Sequence, residues 1–129
     1  MNRSDSIGQL AAALAAAQGK MKAAALNAQN PFFKSKYADL GAIIEAIRPV
    51  LAETGLSFTQ TPLVDSGTVT LETTIMHASG EWLSSAMSVA IVEEKGMSFV
   101  QALGKAITYL RRYALASMFG VYAEEDDDG

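Results

Sequence analysis

The chemically most suggestive segment of the sequence lies at residues 101–120, QALGKAITYLRRYALASMFG, which carries one lysine, two arginines and two tyrosines but no acid. If the segment is helical, side chains three, four and seven positions apart share one face. One such face is polar and cationic, with Arg111 and Tyr113 on its flanks, and consists of Lys105, Thr108, Tyr109 and Arg112. The opposite face is an apolar stripe of Leu103, Ile107, Leu110 and Ala114. The pattern predicts a helix that buries the stripe and exposes cations and aromatic rings.

A second basic and aromatic segment, NPFFKSKY, spans residues 30–37. It interleaves rings with lysines, in the order Phe32, Phe33, Lys34, Lys36 and Tyr37. Arginine and lysine bind phosphate oxygens, and aromatic rings stack on unpaired bases. Neither segment is decisive alone, because aromatic residues often stand beside basic ones. Two such segments in one small domain favour a polyanionic ligand, and single-stranded nucleic acid accounts best for the rings.

Residue types that would support catalysis are sparse in this chain. The single histidine, His77, stands near Ser79 and Glu81 in MHASGEW. This spacing favours a turn between strands over a hydrolytic triad, whose members converge from separate parts of a chain. The phosphate-binding glycine patterns GxxxxGK[ST] and GxGxxG do not occur. We therefore expect no enzymatic activity and no cofactor.

The net charge of −4 is unevenly distributed over the 129 residues. Five of the fourteen acids lie in the terminal EEDDDG, so residues 1–123 carry ten bases against nine acids. We predict one nucleic-acid-binding domain at residues 1–123, followed by an acidic tail at residues 124–129. The tail carboxylates, from Glu124 to Asp128, could bind Mg²⁺ loosely through oxygen ligands. A solvated tail without metal is the favoured interpretation.

Composition also bears on the compartment of the protein. The chain contains no cysteine, which fits a reducing environment. Its first residues, MNRSDSIGQL, lack the continuous apolar region of a signal peptide, and the alanine-rich run that follows is too short to span a bilayer. We expect a soluble cytoplasmic protein with no membrane partner.

The hydrophobic pattern predicts the order α-α-β-β-β-α. A first helix begins with a cap at Ser4 or Asp5 and continues to about Asn27, with a possible break at Gly19. A second helix runs from about Asp39 to Glu53, is kinked by Pro49 and ends at Gly55. Three strands follow in GLSFTQTPLV, TVTLETTIMH and EWLSSAMSVAI, and Ser98 caps the long helix. The fold class is α+β, a three-stranded antiparallel meander (a β-β-β-α core) packed by helices, with an N-terminal helical segment.

These motifs resemble the ERF (essential recombination function) family of phage single-strand annealing proteins. The resemblance rests on NPFFKSKYADL, on TTIMHASGEW and on QALGKAITYLRRYALASMFGVYAEEDDDG. The last segment is the most specific, since it is similar to the family's Q-x-x-G-x-x-x-T-Y-x-x-R-Y-x-L pattern followed by acids. Thr108, Tyr109, Arg111 and Arg112 fall on that signature helix, beside Lys105. Lys34, Lys36 and Tyr37 fall on the early motif.

The resemblance implies a DNA-recombination protein that needs no ATP or other nucleotide. Such proteins assemble into rings or helical filaments that hold one DNA strand in a groove while a complementary strand tests its pairing. The implied partners are single-stranded DNA, the annealed duplex and further copies of the chain. A single-strand-binding protein or an exonuclease of the phage or host would be an additional partner.

Two other interpretations stay open at this point. The chain could bind single-stranded DNA or RNA without promoting annealing. Alternatively, it could be a structural oligomer whose cationic helix pairs with the acidic tail of a neighbour, in which case it would not bind nucleic acid at physiological salt.

Overall fold

The computed structural model describes residues 1–31 and 35–122. In these ranges the chain forms three helices, α1 (Gly8–Lys20), α2 (Leu40–Thr54) and α3 (Phe99–Phe119). Its strands are β1 (Asn2–Arg3), β2 (Ala28–Gln29), β3 (Lys36–Tyr37), β4 (Leu56–Asp65), β5 (Thr68–His77) and β6 (Trp82–Ala90). All strand pairs are antiparallel, so the predicted α+β class is confirmed. None of the helices in the described ranges is long and apolar enough to cross a membrane.

The larger sheet has the strand order β1-β6-β5-β4, and the smaller one pairs β2 with β3. Alternation along β5 directs its odd-numbered side chains towards the helices, and these are fully buried: Val69, Leu71, Thr73 and Ile75. The register places Val69 between Val64 of β4 and Val89 of β6. The opposite face of the sheet carries mostly hydroxyl-bearing side chains and no helix packs on it in the described ranges.

The sequence predicted three strands for this sheet, and the structure adds β1 at its edge. Asn2 and Arg3 pair with Ser84 and Leu83. Ser4 then extends the contact, because its N–H donates to the Trp82 carbonyl at 3.0 Å and its hydroxyl accepts from the Trp82 N–H at 3.0 Å. A two-residue strand has no hydrophobic period of its own, so the pattern could not reveal it.

The start of α1 corrects the predicted cap at Ser4 or Asp5. Ser4 is engaged with the sheet, and the helix begins at Gly8 without a side-chain cap from its own N-cap residue. Instead Glu81, in the turn before β6, accepts the Leu10 N–H at 2.8 Å. This bond and one from Ser6 lower the pKa of the Glu81 carboxyl, the Leu10 bond most strongly. The cap therefore comes from a distant turn.

The end of α1 also differs from the sequence prediction, since the helix stops at Lys20 and not near Asn27. Met21 is already extended, with φ −69° and ψ 139°. Beyond it the chain runs beside the end of α3, where the Ala24 N–H donates to the Tyr122 carbonyl at 2.9 Å. Tertiary contacts thus override a helical period that Gly19 already weakens.

The other two helices begin where predicted, and α2 also ends where predicted. Asp39 caps α2 by accepting the Ala42 N–H at 2.9 Å, and Gly55, with φ +73°, ends it. The helix continues through Pro49 to Thr54. Ser98 caps α3 in a reciprocal capping box with Gln101.

Two groups of buried side chains form the core. One joins α1, α2 and the end of α3 to the sheet, with Leu10, Ile47, Ile75 and Phe119 at its centre. The other packs the middle of α3 on β5, through Leu110 and Ala114 against Val69 and Leu71. The predicted stripe of α3 therefore lies on the sheet, and Leu103 and Ile107 complete it as partly buried members.

Candidate nucleic-acid interface

The polar side of α3 points away from the sheet because Leu110 and Ala114 fix the rotation of the helix. Lys105, Thr108 and Tyr109 are exposed on this side, as the sequence predicted. Arg112 is half-buried on the same side, one turn further along the helix. The helix thus presents a cation, a hydroxyl and a ring to solvent within two turns.

Arg112 lies among three tyrosine rings. Its guanidinium carbon is 4.5 Å from the ring centre of Tyr37, 5.1 Å from that of Tyr113 and 5.4 Å from that of Tyr109. All three distances are within the range of cation–π attraction. The tertiary fold therefore brings the two basic and aromatic segments of the sequence together, with Arg112 at the point where they meet.

Two of these tyrosines also contact each other along the helix. The rings of Tyr109 and Tyr113, four residues apart, have centres separated by 4.6 Å and planes tilted by 51°. Their hydroxyls are hydrogen-bonded, which is the main reason that the pKa of Tyr109 is raised. Both the raised pKa and the ordinary value near 10 keep Tyr109 uncharged at neutral pH, so its ring can stack on a base without adding negative charge.

The two short strands β2 and β3, which we call the β2–β3 clasp, hold Tyr37 in place opposite α3. Strands β2 and β3 pair Ala28 with Tyr37, and the flanking Asn27 makes two bonds with Asp39. The Asn27 side-chain amide donates to the Asp39 carboxylate at 2.9 Å, and the Asp39 N–H donates to the Asn27 side-chain oxygen at 3.0 Å. The pKa of Asp39 is lowered, first by the N–H of Ala42 and next by Asn27, so this carboxylate stays ionised at neutral pH.

A groove of about 640 Å³ separates this clasp from α3. From the clasp side it is lined by Asn30, Pro31, Ser35 and Tyr37. From the helix it is lined by Gly104, Lys105, Thr108, Tyr109, Arg112 and Tyr113. Its walls thus combine two cations with three aromatic rings, which is the combination that binds single strands.

Lys105 lines the groove and also forms an ion pair with Glu94, which is not among the groove-lining residues. Its ammonium lies 3.2 Å from a carboxylate oxygen of Glu94, and both side chains are more than half exposed. An exposed pair of this kind contributes at most about 1 kcal/mol. A phosphate can therefore compete for Lys105 at little cost.

The structure brings Lys105, Thr108, Tyr109, Arg112 and Tyr37 into one groove, but it does not bring every predicted site residue there. Lys36 is exposed on β3 and is not among the groove-lining residues. The predicted Lys34 lies outside the described residues. The predicted acidic tail lies outside them too.

Arg111 faces the sheet, not the groove. Its Nε donates to the Gln60 side-chain oxygen at 3.1 Å, and the Gln60 amide donates to the Arg111 carbonyl at 3.2 Å. The same amide lies 3.1 Å from the hydroxyl of buried Thr73. Arg111, one of the predicted nucleic-acid-binding residues, thus has an amide of the same chain as its partner.

The site also contains a residue absent from the predicted binding set, Tyr113. The helical pattern placed it on the flank of the polar face. Its four-residue spacing from Tyr109 was the available signal, since residues at i and i+4 meet on a helix. Asn30, Ser35 and Gly104 line the groove as well; they lie within the quoted motifs but were not among the predicted binding residues.

The residues around His77 form a structural turn, in agreement with the favoured interpretation. The Ser79 N–H donates to His77 Nδ1 at 3.1 Å, while Glu81 caps α1. Within residues 1–31 and 35–122, no group of three or more histidines and acids is arranged to hold a metal ion.

Comparisons with known proteins agree with the resemblance seen in the motifs. A model of the ERF superfamily matches residues 10–129. The "Essential recombination function protein" of Salmonella phage P22 is 32% identical over 104 residues, which cover 79% of this chain and 51% of the phage protein. The chain thus spans about half the length of that relative. No solved structure gives a significant match. Because the family model covers both segments that form the groove and nearly the whole described fold, the chain belongs to the ERF superfamily.

Proposed function

We propose that this protein binds single-stranded DNA in the groove between α3 and the β2–β3 clasp and promotes annealing of complementary strands during phage recombination. The observation that carries the proposal is the placement of Arg112 among Tyr37, Tyr109 and Tyr113 beside the exposed Lys105. A recombination role is supported by family membership and by the name of the phage P22 relative.

The groove suits a single strand better than a duplex. Lys105 and Arg112 can each neutralise a phosphate, and the partly exposed rings of Tyr109 and Tyr113 can stack on unpaired bases. Stacking of this kind contributes about 1–3 kcal/mol per base and does not depend on sequence. Hydrogen-bonding edges of the bases then remain available to a complementary strand.

Annealing in this proposal needs no nucleotide cofactor. Base pairing supplies the driving force, while the protein neutralises backbone charge and raises the local concentration of the strands. One groove with two cations binds weakly, so we propose that several copies act together as a ring or filament and gain by avidity. Bound Mg²⁺ at the acidic tail is not required.

The test is to measure pairing of complementary oligonucleotides, one with a fluorophore and one with a quencher, in the absence of ATP. Wild-type protein should accelerate pairing at least tenfold. Tyr109→Ala should weaken binding by about tenfold, because one base loses its stacking partner. Tyr122→Ala is the matched control, since Tyr122 is exposed but does not line the groove.

Two results would contradict the proposal in different ways. Binding without faster pairing would identify a single-strand-binding module that does not anneal. The absence of binding at physiological salt would leave the structural oligomer as the better account.

A further inference from the structure

The larger sheet has two edges, which differ in how their backbone groups are protected from pairing with a further strand. Strand β4 forms one edge, and Pro62 lies in it. Strand β6 forms the other, where β1 pairs only with Leu83 and Ser84. Within the described ranges, no strand pairs with the outer side of residues 85–90. This part of β6 is therefore a free sheet edge, which we call the open β6 edge.

Backbone alternation determines which groups of the open β6 edge point outward. The Ser4 N–H reaches the Trp82 carbonyl from the outer side, whereas the Glu81 carbonyl and the Ile91 N–H bond towards the β5 side. Even-numbered residues of β6 therefore direct their N–H and C=O groups outward. On the open β6 edge these are Ala86, Ser88 and Ala90.

The open β6 edge lacks the features by which natural edges avoid pairing. Its sequence SAMSVA contains no charge and no proline. On β4, the same alternation directs the nitrogen of Pro62 outward, where it removes a donor from that edge. Pro62 therefore interrupts the run of outward donors along β4, whereas the run along the open β6 edge is uninterrupted.

Apolar side chains line the open β6 edge on the face that carries α3. Met87 is 39% exposed there, next to Val89. A cavity of about 340 Å³ lies between this strand and α3, lined by Met87, Ser88, Val89, Tyr109, Leu110 and Tyr113. A smaller one of about 140 Å³ continues it past Val89 towards Ala102 and Ala106. A strand added here would direct alternate side chains into these cavities.

We propose that the occupant is the open β6 edge of a second copy of this chain, paired antiparallel about a two-fold axis at Ser88. In this register Ser88 faces Ser88 of the second copy, and Ala86 faces its Ala90. The outward groups then form about six backbone hydrogen bonds. Met87 of each copy packs beside Val89 of the other, over the two cavities.

A symmetric pair fits the edge better than the alternatives. The same residues meet on both sides, so an uncharged edge is complementary to itself. The pairing covers residues 86–90 and leaves the β1 contact at residues 83–84 in place, with the exposed Met1 moving aside for Ile91 of the second copy. The alternative is that β4 of a second copy pairs parallel with β6. If it kept the alignment that β4 has with β6 within one sheet, the first half of β4 would occupy the place of β1.

The two-fold axis also determines the relative direction of two bound DNA strands, and this consequence rests on the proposed function. Tyr109 and Tyr113 line both the groove and the cavity at the β6 edge. The grooves of the two copies would therefore adjoin and run in opposite directions. Two bound strands would then lie antiparallel, which is the orientation that annealing requires. The pair is one contact of the larger assembly.

The test uses single cysteine variants, because the chain has no cysteine of its own. Only a residue on the two-fold axis lies opposite the same residue of the second copy. Under oxidising conditions Ser88→Cys should therefore form a disulfide-linked dimer in high yield. Opposed hydrogen-bonded residues have Cα atoms about 5.5 Å apart, within the range that a disulfide spans. The experiment needs no DNA, so its failure is separate from a failure of annealing.

Ala86→Cys is the matched control, since it lies on the same strand and face. Its copies would be about 13 Å apart across the axis, too far for a disulfide. Mixing Ala86→Cys with Ala90→Cys should instead give a heterodimer. Equal dimer yields from Ser88→Cys and Ala86→Cys, or no dimer from folded Ser88→Cys, would overturn the proposal.

A second measurement does not depend on disulfides. Met87→Lys places a charge in the pair and should raise the concentration needed for self-association at least tenfold in sedimentation runs. Val64→Lys is its control at the β4 edge, where Val64 is similarly exposed, at 43%. Wild-type protein that stays monomeric at every concentration, or equal weakening by both lysines, would also overturn the pairing.

Discussion

At the scale of single residues, two adjacent arginines have separate environments. Arg112 lies among tyrosine rings in the groove, whereas Arg111 is bonded to Gln60 above the sheet. One helical step of about 100° is enough to send neighbouring side chains to different surfaces. The pair therefore offers an internal comparison of a binding arginine with a structural one.

Replacing Arg112 by alanine should lower affinity for single-stranded DNA of every sequence, because a phosphate contact is lost. The log–log dependence of affinity on salt should flatten by about 0.7. Arg111→Ala should leave that slope unchanged and lower the melting temperature, since Gln60 and Thr73 lose their network. DNA titrations at several salt concentrations, with a thermal melt for each variant, measure both. A flatter slope for Arg111→Ala alone would show that the two roles are reversed.

At the scale of elements, packing on the sheet positions α3, and a residue in a distant turn caps α1. The middle of α3 is positioned by Leu110 and Ala114 against Val69 and Leu71. The first turn of α1 is satisfied by Glu81, which follows β5 in the chain. Each helix is thus held by residues far away in sequence, and each contact can be tested alone.

Leu110→Ala should destabilise the protein by about 2–5 kcal/mol, since Leu110 is only 3% exposed and its removal leaves a cavity. DNA binding should be lost only in proportion to unfolding. Urea denaturation followed by DNA titration under native conditions separates the two effects. Normal stability combined with lost binding would contradict the assignment of this face to the core.

Glu81→Gln should lower the melting temperature at neutral pH, because the ionised carboxylate is the better acceptor for the Leu10 N–H. The pKa of Glu81 is depressed in the fold, so its contribution is present above the unfolded value near 4.3. It disappears as pH falls through the folded pKa. The difference in melting temperature between wild type and variant should therefore shrink as pH is lowered from 7 to 3. A difference that stays constant over this range would contradict an ionic cap.

At the scale of the whole molecule, charge is divided between the groove and the chain terminus. The groove holds Lys105 and Arg112, and the last six residues hold five acids. Acids near a cationic groove compete with phosphates for the same cations. We therefore predict that the acidic tail weakens the attraction of the protein for DNA.

Removal of residues 124–128 should strengthen binding of single-stranded DNA if these carboxylates compete for the groove. The gain should shrink as salt is raised, because screening weakens the competition. Fluorescence anisotropy at low and physiological salt measures it. A variant in which the five acids become serine or asparagine controls for length. Unchanged or weaker binding would indicate a spacer, metal-binding or structural role for the tail.

The sequence by itself determined the features that depend on local chemistry. The apolar stripe of α3, its cap at Ser98, the start of α2 near Asp39 and the three long strands were all readable from period and capping residues. Lys105, Thr108, Tyr109 and Arg112 were placed on one face because helical spacing is a property of consecutive residues.

Only the tertiary structure decided which distant groups meet. Tyr37 reaches Arg112 across a large sequence separation, and Glu81 caps α1 in place of Ser4 or Asp5. Lys36 and Arg111 were predicted for the site and lie outside its groove, because a single residue step on a strand or helix changes the surface that a side chain faces. Such contacts follow from packing between elements, to which no local pattern in one chain is sensitive.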